Sequence, residues 1–310
     1  ILTLASEDSD LTVTDNLTFD NSGEQIITGS ADLTLHGGFI LDNGTLSSTG
    51  GKVSFEKGAG QSGGSLDVSG STLILGDNYI KTAGTLTATG DGTILELTES
   101  LSLTSNTPVS VKTLNLNDKT ITLGSETTDL TVSDAITLDG ADEQIHTQSA
   151  DLTLNGLLSV DNGGLYSSGG TLTFGGGLDQ TSGEFDLGAS ILSLGAGYTK
   201  SGGNLLSSSA TLDLLVDLTI TSDSTLSFNQ LNLNNLTLTL GSVSSDLQVS
   251  SALILDNSNE RVMTGAADLS LLAFQDISIG GVTSTGGTIS LLAGGQLSGA
   301  GILDVSGSTW

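Results

Sequence analysis

The sequence predicts an all-β chain folded as a single-stranded parallel β-helix, or β-solenoid, with about 20 residues in each coil. Three observations indicate this fold class. Short runs alternate apolar and polar residues, Gly, Ser, Asn and Asp separate these runs, and related runs return after about 20 residues. No segment shows the apolar period of an amphipathic helix.

One seven-residue phrase recurs along the chain with little change. Asp32 of the first copy and Asp151 of the second are 119 residues apart, and Asp268 of the third follows Asp151 by 117 residues. The match extends on both sides of the phrase, so a long unit is repeated. The three copies are GSADLTL at 29–35, QSADLTL at 148–154 and GAADLSL at 265–271.

The long unit predicts one continuous solenoid over residues 1–310, made of long repeats 1–119, 120–236 and 237–310. The third repeat is incomplete. At about 20 residues per coil, about six coils fill one long unit, and the whole chain forms a rod on the order of 70 Å long.

Each coil is expected to stack its strands about 4.8 Å from those of the previous coil, with alternate side chains in a dry interior. The spacing between Asp10 and Asp32 corresponds to one coil. After Asp32, Leu33 and Leu35 are expected to point inward and Thr34 outward. Thr is β-branched and suits an exposed strand face.

Glycine pairs mark the expected corners, where a positive φ or a close approach between coils favours a residue without Cβ. Proline is nearly absent, since a strand inside a ladder must donate its amide, and Pro108 is the one exception. The pairs include those that begin at residues 37, 50, 63, 163, 169, 202, 280 and 286.

The charge balance excludes some classes of partner. The chain has 35 acidic and 7 basic residues, and its net charge of −28 repels phosphate backbones and anionic membranes. We therefore expect neither nucleic-acid binding nor membrane insertion, and no apolar run is long enough to span a bilayer. Cys is absent, so the chain has neither disulfides nor thiolate metal sites.

No residue pattern predicts a catalytic, cofactor-binding or metal site, and we expect no cofactor. The matched aspartates of successive coils would lie about 5 Å apart, where they either bind a cation such as calcium or cap corners by accepting backbone hydrogen bonds. We favour capping. His36 and His146 differ in their place in the repeat and are expected at the surface or at a corner. The matched aspartates are Asp10, Asp32, Asp129, Asp151, Asp246 and Asp268, and the basic residues are Lys52, Lys57, Lys81, Lys112, Lys119, Lys200 and Arg261.

Both ends of the sequence fall inside the repeat. The opening ILTL matches TITL at 120–123, and the closing LDVSGSTW matches LDVSGSTL at 66–73. An uncovered terminal coil exposes backbone donors and acceptors, so solenoids ordinarily carry caps. We expect the chain to be a segment of a longer protein; the alternative is that neighbouring molecules in a fibre cover its ends.

In its Leu/Ile/Val and Thr/Ser strands, its Gly-Asn-Asp corners and its lack of Cys, the chain resembles the passenger rods of filamentous-haemagglutinin-like and autotransporter adhesins of bacteria. The resemblance covers nearly the whole chain and includes no signature motif. It implies export, a right-handed parallel β-helix, and a role in adhesion, biofilm or surface-layer construction. We therefore expect a structural, non-enzymatic protein, extracellular or on the bacterial surface, that self-associates or binds a host or environmental surface.

Two other functions remain open. Polysaccharide-binding and polysaccharide-cleaving proteins also use β-helices, with acidic residues grouped in a groove. Runs such as TVT at 12–14 suggest ice binding as a function, although Ser, Asp, Asn, Lys and Glu replace Thr at comparable places.

Overall fold

A computed structural model describes residues 1–88, 92–251, 253–273, 275–277, 279–291, 297–298, 301–306 and 308–309. Over these residues the chain consists of short strands joined by turns, without a helix. The described residues therefore offer no helix that could cross a membrane. The chain divides into two compact units, residues 1–136 with 140–153, and residues 137–139 with 154–310.

The described fold contains 44 strands of two to five residues each. The first 22 are β1 (Leu2–Thr3), β2 (Leu11–Val13), β3 (Leu17–Phe19), β4 (Gln25–Gly29), β5 (Leu33–Leu35), β6 (Phe39–Leu41), β7 (Thr45–Ser48), β8 (Lys52–Phe55), β9 (Ala59–Gln61), β10 (Ser65–Asp67), β11 (Thr72–Leu75), β12 (Tyr79–Lys81), β13 (Thr85–Thr87), β14 (Ile94–Leu97), β15 (Leu101–Ser105), β16 (Val109–Val111), β17 (Thr113–Asn115), β18 (Thr120–Leu123), β19 (Leu130–Val132), β20 (Ile136–Leu138), β21 (Gln144–Gln148) and β22 (Leu152–Leu154). The other 22 are β23 (Leu158–Val160), β24 (Gly164–Ser167), β25 (Thr171–Phe174), β26 (Leu178–Gln180), β27 (Glu184–Asp186), β28 (Ile191–Leu194), β29 (Tyr198–Lys200), β30 (Asn204–Leu206), β31 (Thr211–Leu214), β32 (Leu218–Ser222), β33 (Leu226–Phe228), β34 (Gln230–Asn232), β35 (Thr237–Leu240), β36 (Leu247–Val249), β37 (Leu253–Leu255), β38 (Arg261–Gly265), β39 (Leu269–Leu271), β40 (Gln275–Ile277), β41 (Gly281–Ser284), β42 (Ile289–Leu291), β43 (Leu297–Ser298) and β44 (Ile302–Asp304).

In the first unit most strands pair in parallel with the strand three places earlier, one coil back, although β16 does not pair with β13. Leu46, Leu66 and Leu86 are register partners in successive coils, so each of these coils contains about 20 residues. The predicted parallel β-solenoid and its predicted coil length are therefore confirmed. The strand orders are β1-β4-β7-β10-β13, β2-β5-β8-β11-β14-β17 and β3-β6-β9-β12-β15-β18-β21, with β16 paired to β19.

The second unit has the same organisation. Leu172, Leu192 and Leu212 are register partners in successive coils, so the coil length is the same as in the first unit. Its strand orders are β23-β26-β29-β32-β35-β38-β41-β44, β24-β27-β30, β25-β28-β31-β34, β33-β36-β39-β42 and β37-β40-β43.

Stacked apolar side chains fill the interior of the coils. Leu33 and Leu35 are fully buried and Thr34 between them is partly exposed, which confirms the predicted alternation. Phe39 and Phe55 stack with their ring centroids 5.0 Å apart. Each such side chain contributes about 1.5–3 kcal/mol by leaving water.

Glycines turn the corners for the two reasons that the sequence predicts. Gly64 and Gly84 have φ values of +58° and +78°, a region that other residues rarely adopt. Gly51 is needed for a different reason, because a Cβ there would overlap the carbonyl group of Ala31 in the preceding coil. Pro108 lies just before β16 and outside the strands, so it removes no ladder hydrogen bond.

Consecutive copies of the long repeat are displaced by one sheet. In the first unit, β1 and β4 share a sheet, whereas the matching strands of the second copy, β18 and β21, belong to the sheet that begins with β3. In the second unit, β24 and β27 share one sheet and their third-copy counterparts β41 and β44 another. A long repeat contains 17 strands, β1 to β17, which is one fewer than six three-strand coils require. Matched residues of consecutive copies therefore lie on different faces of a unit.

Candidate functional site

The matched aspartates form a ladder of caps for backbone amides. Asp10 Oδ1 accepts a hydrogen bond from the amide of Asp32 at 2.9 Å, and Asp32 Oδ1 accepts one from the amide of Lys52 at 2.8 Å. Each carboxylate thus satisfies a donor of the next coil, as the capping interpretation predicts. Among the described residues no group of three or more Asp, Glu, His or Cys is placed to hold a metal. The amide of Asp151 donates to Asp129 Oδ1 at 3.0 Å and that of Asp268 to Asp246 Oδ1 at 2.8 Å.

A recurring glutamate is a second structural carboxylate, which the periodicity of the strands does not reveal. Glu260 is 6% exposed, and its Oε2 accepts hydrogen bonds from the amides of Asp256 and Asn257 at 2.8 and 3.1 Å. Its Oε1 accepts one from the amide of Asn235, in the preceding coil, at 3.2 Å. Glu260 therefore closes its own turn and also binds that turn to the coil before it.

The counterpart of Glu260 in the first copy is Glu24, which closes a similar turn at a more exposed place. Its Oε2 accepts hydrogen bonds from the amides of Asp20 and Asn21 at 2.8 and 3.0 Å. In the second copy, Glu143 accepts from the amides of Gly140 and Asp118 at 3.1 and 3.3 Å.

The hydrogen bonds of Glu24 predict that the stability it contributes is lost at acidic pH. The hydrogen bond from the Asn21 amide, assisted by that from Asp20 and opposed by desolvation, lowers the pKa of Glu24 below 4.5. Stability from a carboxylate with a lowered folded-state pKa is present above the unfolded-state pKa and is lost as pH falls through the folded-state value. We expect the gap in free energy of unfolding between the wild type and Glu24→Gln to be constant above about pH 5 and to shrink below it. Urea denaturation at a series of pH values measures the gap, and a gap that stays constant down to pH 3 would contradict this assignment.

A lysine lies inside the coils of the first unit. Lys81 is 1% exposed, and its Nζ donates a hydrogen bond to Asn106 Oδ1 at 2.5 Å. Tyr79 is equally buried and donates to Gln61 Oε1 at 2.6 Å. Ile80, between them, is 49% exposed, so β12 turns its charged residue inward and its aliphatic residue outward. Burial lowers the pKa of Lys81 and raises that of Tyr79.

The second copy repeats this arrangement with a carboxylate as the partner. Lys200 is 6% exposed, and its Nζ donates to Asp223 Oδ1 and to Ser224 Oγ, both at 2.9 Å. Tyr198 donates to Gln180 Oε1 at 3.1 Å. The hydrogen bond from Lys200 holds the pKa of Asp223 below its usual value.

The two lysines provide a reciprocal test of the ion pair between buried Lys200 and partly exposed Asp223. Asp223→Asn gives the second copy the amide partner of the first, and Asn106→Asp does the reverse. We expect Asp223→Asn to lower the free energy of unfolding by about 1 kcal/mol and Asn106→Asp to raise it by about as much, a modest effect because the Asp223 side chain is 45% exposed.

Urea denaturation measures both changes, and each should vanish when the lysine concerned is replaced by Met. Changes of the same sign for the two substitutions would show that the carboxylate does not stabilise the buried ammonium.

Each of the two histidines lies within hydrogen-bond distance of a polar side chain. The Nδ1 atom of His36 lies 2.7 Å from Glu56 Oε2, and its side chain is 44% exposed. The Nε2 atom of His146 lies 3.0 Å from Gln144 Oε1, and partial burial lowers the pKa of this half-buried histidine.

The backbone ladder of the second unit is interrupted between β30 and β33 and again, on another face, between β34 and β37. The coil β33-β34-β35 pairs with the coil β36-β37-β38 on two faces, with Leu226 opposite Leu247 and Leu238 opposite Val262. On the third face β34 ends one sheet and β37 begins another. One residue, Asn229, separates β33 from β34, whereas three separate β36 from β37, so the two coils take different paths round this corner.

The interruption between β34 and β37 opens a polar cleft of about 350 Å³. Because the two flanking faces hold both coils at the spacing of a β-ladder, the cleft cannot widen enough to admit another strand. It is lined by Gln230, Leu231, Asn232, Leu233, Asn234, Asn235, Ile254, Asp256, Asn257 and Glu260.

A second cleft, of about 460 Å³, opens at the neighbouring corner and contains the single arginine of the sequence. Arg261 is half-buried, and its Nη1 donates a hydrogen bond to the Glu260 carbonyl oxygen at 3.3 Å. No carboxylate of the described residues lies within ion-pair distance of its guanidinium. We call this site the arginine cleft; it is lined by Asp217, Asn235, Leu236, Thr237, Ser258, Asn259 and Arg261.

No family model matches the chain, and no match is found among the curated proteins or the solved structures. Function therefore has to follow from the geometry of the described residues.

Proposed function

We propose that this chain is a structural protein of the bacterial surface or the extracellular space, whose stacked coils span distance, associate with other copies or present an adhesive surface. The observation that carries the proposal is the nature of the residues that recur in all three copies. In each copy an aspartate binds one coil to the next through a backbone amide, and in the second and third copies a glutamate does the same. Hydrogen bonds of this kind maintain a scaffold.

Some outward-facing residues support the same proposal because they change between copies. Ile40 is 43% exposed in the first copy, and Ser159 occupies its place in the second. Arg261 of the third copy stands where the other two have Gln25 and Gln144. A constant framework with a variable exterior suits a protein that displays different surfaces along its length. This texture is consistent with the adhesin rods that the sequence resembles.

The cellular part of the proposal is tested on intact cells of the source organism. Antibody labelling and protease treatment of unbroken cells should detect and remove the protein, and deletion of its gene should reduce attachment or biofilm mass. Protection from protease until the cells are lysed would overturn the surface location.

Polysaccharide cleavage is the competing function. The purified chain, incubated with a panel of uronic-acid polymers, should release no product. Product release that requires the folded chain would replace the structural role with an enzymatic one.

A further inference from the structure

We propose that the arginine cleft binds the carboxylate of an acidic sugar residue carried in an otherwise neutral glycan. This inference deepens the adhesive part of the proposed function and rests on that part alone. The structural part does not depend on it, because the stacked coils do not need the site for their stability. It follows from an unpaired cation, from room beside that cation, and from the neutral polar groups around it.

The charge state of Arg261 is the first argument. In a chain with 35 acidic residues, its guanidinium has no carboxylate among the described residues within ion-pair distance. Its one hydrogen bond to the Glu260 carbonyl uses Nη1 and leaves most of its five N–H donors available. A guanidinium of this kind matches a carboxylate in a bidentate geometry.

The space beside Arg261 is the second argument. Thr237, Arg261 and Gly281 are register partners in three successive coils. A Cβ on Gly281 would lie 3.2 Å from Nη1 of Arg261, so the guanidinium lies close over the next coil, where position 281 has no side chain. At the matching positions the first copy has Thr45 with Gln25 and the second has Gly164 with Gln144, so the third copy alone combines the open position with an arginine.

The remaining lining indicates a sugar as the carrier of the carboxylate. Thr237, Ser258 and Asn259, which carry hydroxyl and amide groups, line the same cleft as Arg261. Neutral donors and acceptors of this kind complement sugar hydroxyls, and about 460 Å³ accommodates a pyranose ring. The net charge of −28 disfavours densely charged polyanions, which favours a single carboxylate among neutral sugars.

Asp217 is the one acidic side chain that lines the arginine cleft, and it opposes an anionic ligand. Its structural task is to accept the amide hydrogen bond of Thr237 at 2.8 Å. One copy earlier, Ser100 does the same for Thr120 at 3.1 Å. Asp217→Ser therefore keeps the cap in a form that this fold already uses and removes the repelling charge.

The single arginine makes the site directly observable, because the chain has one Arg Nε–Hε resonance in its NMR spectrum. The probe is a disaccharide of one glucuronate and one neutral hexose, titrated into the whole chain. Its controls are the same disaccharide with the carboxyl group reduced to an alcohol, a disaccharide with a sulfate ester in place of the carboxylate, and acetate.

We expect the uronate disaccharide to shift the arginine resonance saturably and the reduced, sulfated and acetate controls to shift it at least about tenfold less effectively. If acetate bound equally well, the site would not recognise a sugar. If the sulfated disaccharide bound equally well, the site would not be specific for a carboxylate. Binding of the reduced disaccharide with equal affinity would overturn the role of the charge.

Two substitutions complete the test, with affinity followed through the ligand signals. Arg261→Gln introduces the residue of the other two copies, so the variant should fold, and we expect it to bind at least about tenfold more weakly. Asp217→Ser should bind severalfold more tightly. Unchanged affinity in Arg261→Gln would show that the arginine cleft is not the binding site. The proposed structural function would be unaffected by that result, because it is tested separately by the attachment of cells and the stability of the coils.

Discussion

Replacing Gly51 with Ala should lower the free energy of unfolding by about 3 kcal/mol, although the change adds one methyl group. The new Cβ would overlap the carbonyl group of Ala31 and lie 2.9 Å from the carbonyl oxygen of Ser30. These are backbone atoms of the preceding coil, so no change of rotamer can relieve the overlap. Ala31 is fully buried, and the two coils must therefore move apart where their interior is closely packed.

Gly50 supplies the matched control. A Cβ there would find its nearest neighbour, the Cβ of Ser30, at an ordinary 3.6 Å. We expect Gly50→Ala to change stability by less than about 0.5 kcal/mol. Gly287 and Gly286 repeat the pair in the third copy, opposite Ala267 and Ala266. Urea denaturation followed by circular dichroism measures all four variants, and similar losses for neighbouring glycines would refute the close-approach explanation.

The sequence was sufficient to predict the parallel coils because the relevant signals are local. Alternation over three residues identifies the buried face at Leu33 and Leu35, and the strict spacing of Asp10 and Asp32 gives the coil length there. Glycine pairs identify corners because few residues tolerate their geometry. The spacing placed the aspartates on successive coils, and of the two interpretations left open, cation binding and capping, the favoured one describes what Asp10 and Asp32 do.

Whether a given strand residue points into the coil or toward solvent was harder to predict, because the hydropathy of a single residue does not determine its side of the strand. In β12 the apolar Ile80 is exposed and Lys81 is buried, because the parity of the strand is set by Tyr79 and by the packing of the whole coil. The ammonium of Lys81 is accommodated because Asn106 Oδ1 and Thr107 Oγ1 accept its hydrogen bonds at the following corner, 25 and 26 residues later. The periodic pattern of apolar residues does not indicate which residue will be the partner of a buried lysine.

The missing strand of the long repeat was unpredictable for a related reason. A corner of a single residue, Lys112 in one copy and Asn229 in the next, follows β16 and β33, and it cannot be distinguished from strand residues by composition. As a result, matched strands of consecutive copies belong to different sheets, as β24 and its counterpart β41 do in the second unit.

Replacing Glu260 with Ala should also cost about 3 kcal/mol, because it removes the acceptor for three backbone amides at a site that is 6% exposed. Two of the amides, of Asp256 and Asn257, belong to its own turn, and the third, of Asn235, belongs to the preceding coil. Loss of that third bond should loosen the corner that separates the interrupted ladder from the arginine cleft.

Glu24→Ala is the matched control, since Glu24 accepts two amides at a more exposed turn, and its loss of stability should be clearly smaller. Hydrogen exchange gives the decisive measurement. In Glu260→Ala the amides of Asn235, Asp256 and Asn257 should exchange much faster, while amides several coils away keep their protection, since each coil of a solenoid contacts only its neighbours. Equal losses of stability in the two variants, or unchanged exchange at Asn235, would mean that Glu260 closes its own turn without binding it to the preceding coil.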